Sequence, residues 1–568
     1  KLKTLRYCEA FFYFYNMTGF IYDVLKDLDL ASRDTSKLTL ILPNKRAGLF
    51  LKRDWSSISK ATGFLPDIIS IEHFIEELSQ LRLLSNTELI FEFYSVYLDL
   101  TPLNERDSFD SFSKWAPIVL QDFNEIDRYL IPQEQIFEYL TAIQELNHWS
   151  LEANSTPLVK GYLSFWKKVD SYYSKFTSHL LQKGAGYQGL IYREAVENLE
   201  LYTKNNPLKS HVFLGFNALN ASESTIIQEL LEQDKAVIYW DIDQTFVETP
   251  FHDAGYFIRQ HQKQWSHFKK QPFKWVSNQY ATPKNISIVG TPKNIGQVKY
   301  VGSLLQRLYS ENKLQSTALI LGNEDLLIPI LNSIPSAIED INITMGLPLK
   351  QIPFSAFINQ WFQLQKETNT HYYYQDIIGV LSHQFVRPLL QSTNEDAAQK
   401  IITRLNTHNS VSLTKDQIIA IAPTHKPILE LLFTNWNNQP AKAIQSVLEL
   451  IFKLKDYYGK SKKNHLLPLE YLFRFSEIFN QLKELNNSYS YITTIKVLQS
   501  LFKELLSTET LDFKGQPLKG LQIMGMLESR VLDFETVIIV SVNEGVLPAG
   551  KTNNSFIPFD VKIENGLP

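Results

Sequence analysis

The residues best suited to chemistry in this chain are a short cationic run, Asn44-Lys45-Arg46, placed where the apolar run Leu38–Leu42 ends. A polar, positive loop at a strand exit can pair with phosphates and gives affinity with little sequence preference. A solvated basic helix start has the same spacing, with Lys52 and Arg53 one to two turns on. Ser70 and His73 are weaker candidates for the same work, and a lone His near an apolar helix is more often structural. Gly184-Ala185-Gly186-Tyr187-Gln188-Gly189 has the spacing of a dinucleotide-binding turn, but it follows an amphipathic helix where that turn requires a strand, so it reads as a helix C-cap and loop. Gly459-Lys460-Ser461 lacks the first glycine of a phosphate-binding loop, because Leu454 stands there; with Lys462 and Lys463 it reads as a surface turn. Asp241 and Asp243 could bind a metal or, more simply, cap the following loop. Asp512-Phe513-Lys514 and Asp560-Val561-Lys562 show the carboxylate-x-lysine half of a nuclease site without the second acid, and both read as solvated turns. No catalytic residue, metal ligand or cofactor is assigned.

These residues must be positioned by α/β units. Short apolar strands are expected at Leu38–Leu42, Val212–Leu214, Ala236–Trp240, Ile286–Val289, Ala318–Leu321 and Val537–Val542, each near a helical pattern. Thr536–Val542 reads as a buried strand of a parallel sheet, with Asn543-Glu544-Gly545 as its exit loop. Two long stretches, Ser85–Pro207 and Ser355–Glu509, are dominated by helical periodicity and read as insertions. The expectation is two parallel-sheet cores: 17–84 with 208–284, interrupted by 85–207, and 285–354 with 510–568, interrupted by 355–509. Residues 1–16 read as an extension before a natural start at Met17, or as aromatics that pack.

With 568 residues, the chain is too long for one core. Its single cysteine, Cys8, excludes an internal disulfide and a cysteine zinc cluster, which favours a reducing cytoplasm. The net charge of −4 and pI near 6.4 do not advertise nucleic acid, so any DNA contact must be local. No apolar stretch approaches the ~20 residues of a membrane span.

Several stretches together resemble superfamily I DNA helicases with the ATP chemistry removed. Leu38–Gly48 resembles motif Ia, and Pro66–Phe74 is similar to motif Ib, which makes Asn44, Lys45, Arg46, Ser70 and His73 the implied DNA contacts. Leu521–Pro548 resembles the late motif, with Arg530-Val531-Leu532-Asp533-Phe534 in place of the Lys-Gly-Leu-Glu-Phe core of UvrD-like helicases; Arg530 joins the implied DNA contacts. Nucleotide-handling parts are altered throughout. Gly19–Lys37 has no phosphate-binding loop, Gly215-Phe216-Asn217 replaces the magnesium-holding acid pair, Gly322 replaces the arginine aimed at the γ-phosphate, and Asp533 sits in the altered core.

Asn543–Pro548, Thr344–Leu349, Gln121–Leu130 and Gly215–Glu223 narrow the likeness to an AddB-like inactivated helicase region of a Bacteroidetes-type protein that ends in a PD-(D/E)XK nuclease domain. The resemblance implies two RecA-like cores, each with a helical insertion. It also implies a catalytically silent module that holds single-stranded or end-resected DNA during double-strand-break processing and recombinational repair. The implied partners are the nuclease domain of the same parent protein, which would carry exonuclease activity, and an AddA-like motor helicase subunit, with no membrane involved. Two alternatives stay open: a scaffold that docks the motor without touching DNA, and an active ATPase with an unorthodox nucleotide site.

Overall fold

A computed structural model describes residues 19–28, 35–58, 64–137, 157–273, 278–365, 370–393, 395–460, 466–513, 518–550 and 554–568. Residues 1–16 with Cys8, Ser461, Lys462, Lys463 and Lys514 lie outside the described residues.

A parallel sheet covered on both faces needs strands that are apolar at nearly every position. Strand β1 (Leu38–Leu42) fits that demand and is buried throughout. It pairs with β2 (Asp67–Ser70) on one side and β3 (Ser210–Phe216) on the other, and β3 pairs with β4 (Ala236–Trp240). The order is β2-β1-β3-β4, all parallel. Alternate side chains go to opposite faces. Ile41, Phe213 and Ile238 pack with Phe74 and Ile75 of helix α3 (Ile71–Ser79). Leu40, Val212 and Tyr239 pack instead with Phe20 and Val24 of α1 (Phe20–Leu28) and Leu51 of α2 (Lys45–Ile58).

The second sheet repeats the architecture with β5 (Thr317–Leu321), β6 (Ile341–Ile343), β7 (Leu521–Gly525) and β8 (Thr536–Val540), in the parallel order β8-β5-β7-β6. Helix α4 (Lys293–Ser310) lays Val298, Val301 and Leu305 on Leu319, Leu321 and Ile523. The expected grouping of Leu38–Leu42 with Val212–Leu214, and of Ala318–Leu321 with the Val537–Val542 run, forms, the last strand spanning only Thr536–Val540.

Three expectations need correction. Ile286–Val289 forms no strand; Ile288 is 96 % exposed and the segment has no ladder partner, so an apolar run alone did not make a strand. The run expected to be a buried strand over Thr536–Val542 ends at Val540 and lies on the sheet edge, where Val537 and Ile539 remain roughly half exposed. Asp560-Val561-Lys562 is not a solvated turn, because Lys562 is buried and pairs with Glu125 at 2.6 Å.

The two helical stretches share one continuous core. Tyr491, from the second helical stretch, stacks with Phe91 and Phe109 of the first, with ring centroids 6.0 and 5.8 Å apart. Buried carboxylates organise its polar interior. Glu92 accepts from Lys183 Nζ and Tyr489 Oη, both at 2.7 Å, and lies 2.8 Å from His179 Nε2. Burial pushes its pKa up, but these partners outweigh burial and hold it below the usual carboxylate range. Asp127 accepts from Tyr173, Tyr187 and Arg193. Residues 554–568 leave the second sheet and dock here as well: the Phe556 amide donates to Asp122 at 2.9 Å, beside the Lys562–Glu125 pair. No helix among the described residues is long and apolar enough to cross a membrane.

Candidate functional site between the two sheets

Ligands of open parallel sheets sit beyond the carboxyl ends of the strands. Here the exits of the first sheet face the loop that joins β7 to β8, and the two meet closely.

Asn44 follows β1 and accepts the Ala47 amide at 2.8 Å, which starts α2. A cap of this kind stabilises a helix by about 1 kcal/mol. Lys45, on the first turn, is exposed. Arg46 turns inward and donates from Nη2 to Gln522 Oε1 of β7 at 2.7 Å, an oxygen that also accepts from Asn342. Burial lowers the Arg46 pKa to about 10 against the opposing pull of Glu528. Its Nε and Nη1, Asn44 Nδ2 and Glu528 Oε2 are buried without a hydrogen-bond partner. Of the expected contact run, the structure therefore leaves Lys45 facing solvent and commits Arg46 to the second sheet.

Ser70 ends β2 and caps α3 by accepting the His73 amide at 3.4 Å. His73 is exposed between Glu76 and Glu77, with Nε2 3.3 Å from Glu77 Oε1. Those acids oppose a phosphate at that position. Arg530 is exposed in the connecting loop.

Gly215, at a bulge near the end of β3, has φ +74°. A Cβ there would lie 2.3 Å from Cγ2 of Val531, which enters the hollow that the missing side chain leaves. Val531 itself has φ +67°, a region in which a β-branched residue is strained. Two residues on, Asp533 Oδ2 accepts the Phe20 amide at 2.9 Å and so occupies the N-terminus of α1, an end that favours negative charge. Phe534 meets Phe50 edge to face at 6.1 Å. Asn217 is exposed, and its carbonyl oxygen lies 3.2 Å from His261 Nε2.

The cleft is acidic as well as filled. Asp241, after β4, keeps solvent contact yet lies among closely packed groups; that crowding, with Asp533 nearby, raises its pKa to about 7. Burial also raises Asp533 and Asp23, with Asp54 and Asp533 respectively adding repulsion. Asp243 instead caps the next helix, accepting from the Thr245 amide at 2.9 Å.

Two other glycine positions have packing reasons. Gly322 approaches β8 so closely that a Cβ would lie 2.8 Å from the Val540 carbonyl oxygen. Gly189, in the dinucleotide-like spacing, packs against Asn124, whose Oδ1 accepts its amide at 2.6 Å, while Gly184 (φ +63°) follows the end of a helix as expected.

Gln522 and the seating of Val531 were missed by sequence reasoning, while Asp241, read from sequence as a metal ligand or loop cap, lies beside Asp533 instead. The Arg530–Phe534 stretch stood out as an altered motif, but nothing local told where it lands. Among the described residues, no group of three His, Cys, Asp or Glu is placed to hold a metal. The chain matches no protein-family model and no curated protein.

Proposed function

We propose that the chain is a catalytically silent, helicase-like DNA-binding module of AddB type, with two RecA-like cores, that holds a single-stranded or resected end and delivers it to a nuclease. The observation that carries this reading is the occupied cleft: Val531 fills the Gly215 hollow and Asp533 takes the first amide of α1, the helix that precedes β1. In the helicases this chain resembles, a phosphate-binding loop precedes motif Ia. An internal carboxylate at that helix start, with Asp23 and Asp241 near, opposes a triphosphate. Lys45 and Arg530 remain as exposed cations for strand contact. Lys45 belongs to α2, and Arg530 lies between Glu528, which acts on Arg46, and Phe534, which touches Phe50 of the same helix.

A docking scaffold for a motor subunit, without DNA contact, is the second reading, favoured by the commitment of Arg46 to Gln522. Salt-dependent binding to single-stranded and forked DNA separates the two. Replacing Lys45 and Arg530 by Ala should weaken single-strand binding alike for different sequences and reduce the salt slope by ~0.7 for each lost phosphate contact. Unchanged affinity and slope in the folded double variant select the scaffold. Saturable Mg–ATP turnover that is lost on mutation within this chain rejects both readings.

A further inference from the structure

The closed contact between the sheets combines favourable and unfavourable terms that a permanently welded interface would not need. Val531, Leu532 and Phe534 bury apolar surface against the first core, and Asp533 supplies a charge-assisted hydrogen bond to Phe20. Against this stand the left-handed backbone of Val531, the unpartnered nitrogens of Arg46 and oxygen of Glu528, and Asp533 held near Asp54 and Asp241. Strain and unsatisfied charge of this kind persist only where the surroundings enforce them.

We infer that Arg530–Phe534 is a releasable latch, seated through Val531 in the Gly215 hollow, and that the protein also populates an open arrangement in which the two sheets separate at this loop. Release removes the backbone strain and returns the buried nitrogens of Arg46 and oxygen of Glu528 to water. It also frees the first amide of α1 and uncovers the exits of β1 and β3. The helical body, which has its own continuous core, stays folded in both arrangements.

The test uses the full chain with Cys8 replaced by Ser and spin labels at Ser56→Cys on α2 and Ser303→Cys on α4, both exposed positions. Electron-spin distance distributions are then compared for the parent, Val531→Ala and Asp533→Ala. Hydrogen exchange is followed at Phe20–Asp23 and, as a control, in the Phe109–Arg128 helix of the helical body. Each latch variant should enlarge a longer-distance population at least tenfold and accelerate exchange at Phe20–Asp23 at least tenfold, with the control helix unchanged. A single, unchanged distance in both folded variants overturns the proposal. So does loss of protection in the control helix to the same degree, since the loop would then be an ordinary part of global stability. Gly215→Ala, which blocks the hollow from the other side, must open the same distance.

Discussion

Both sheets have four parallel strands, yet they treat their exposed parts in opposite ways. The first sheet has its strand exits covered by a loop from its neighbour, through Val531 and Asp533. The second leaves β8 as an uncharged edge, Thr536-Val537-Ile538-Ile539-Val540, with Val537 and Ile539 facing solvent. Edge strands are usually blunted by charge, proline or a cover, because a bare ladder recruits other strands. Similar topology therefore does not imply a similar surface: the exits are closed in one sheet and the edge is open in the other.

The largest expected effect separates centre from edge. Ile523→Ala in β7, fully buried, should destabilise the protein by about 2–5 kcal/mol. The same change at Ile539 on β8 should stay below about 1 kcal/mol. Urea midpoints measure both, and equal losses would mean that the β8 edge is covered in solution.

Glycines at the two strand exits sharpen the contrast. Gly215→Ala should destabilise by about 1–3 kcal/mol, because the new methyl meets Val531 and the backbone is left-handed. Exchange should rise at the loop between the sheets. Gly322→Ala crowds Val540 instead, so its effect should appear in β8 amides. Identical exchange patterns for the two variants would refute this assignment.

A smaller effect is expected with pH. Asp241 has a folded pKa raised to about 7, above its unfolded value of about 3.9. Its contribution is therefore full below the unfolded pKa and is lost as pH rises through about 7. Thermal melts from pH 4 to 8 should show a shallower decline for Asp241→Asn than for the parent, and parallel curves would remove Asp241 from the account. Smallest of all, His73→Ala should change stability by no more than ~0.5 kcal/mol, since the ring is exposed and its neighbours are surface acids.

The parts of the fold legible in sequence were those governed by local pattern. β1 and β5 are apolar at nearly every position, a pattern that identifies a buried strand from sequence alone. β7 escapes that pattern because Gln522 and Gly525 interrupt its apolar run, although it lies inside the second sheet with every residue buried. The same reasoning over-read Ile286–Val289, where composition suits a strand but no ladder partner lies beside it. At the site, Asn44 and Arg46 do follow the end of β1, as the sequence pattern places them. Their partners were not legible, because Arg46 meets Gln522, and Val531 meets Gly215, across hundreds of residues. Asp241 looked like an ordinary loop cap, the role that Asp243 performs.

The shared core of the helical body bears on synthesis. Phe91 and Phe109 wait for Tyr491, and Glu92 waits for Tyr489, so the first insertion leaves the ribosome long before its packing partners exist. At a synthesis rate of about 5–20 residues per second, that delay is on the order of 20–80 seconds. Through that interval an aromatic surface containing Phe91, Tyr94 and Phe109 lacks Tyr491 to cover it. Nascent chains arrested before residue 489 should bind holdase chaperones more strongly than chains released after residue 508.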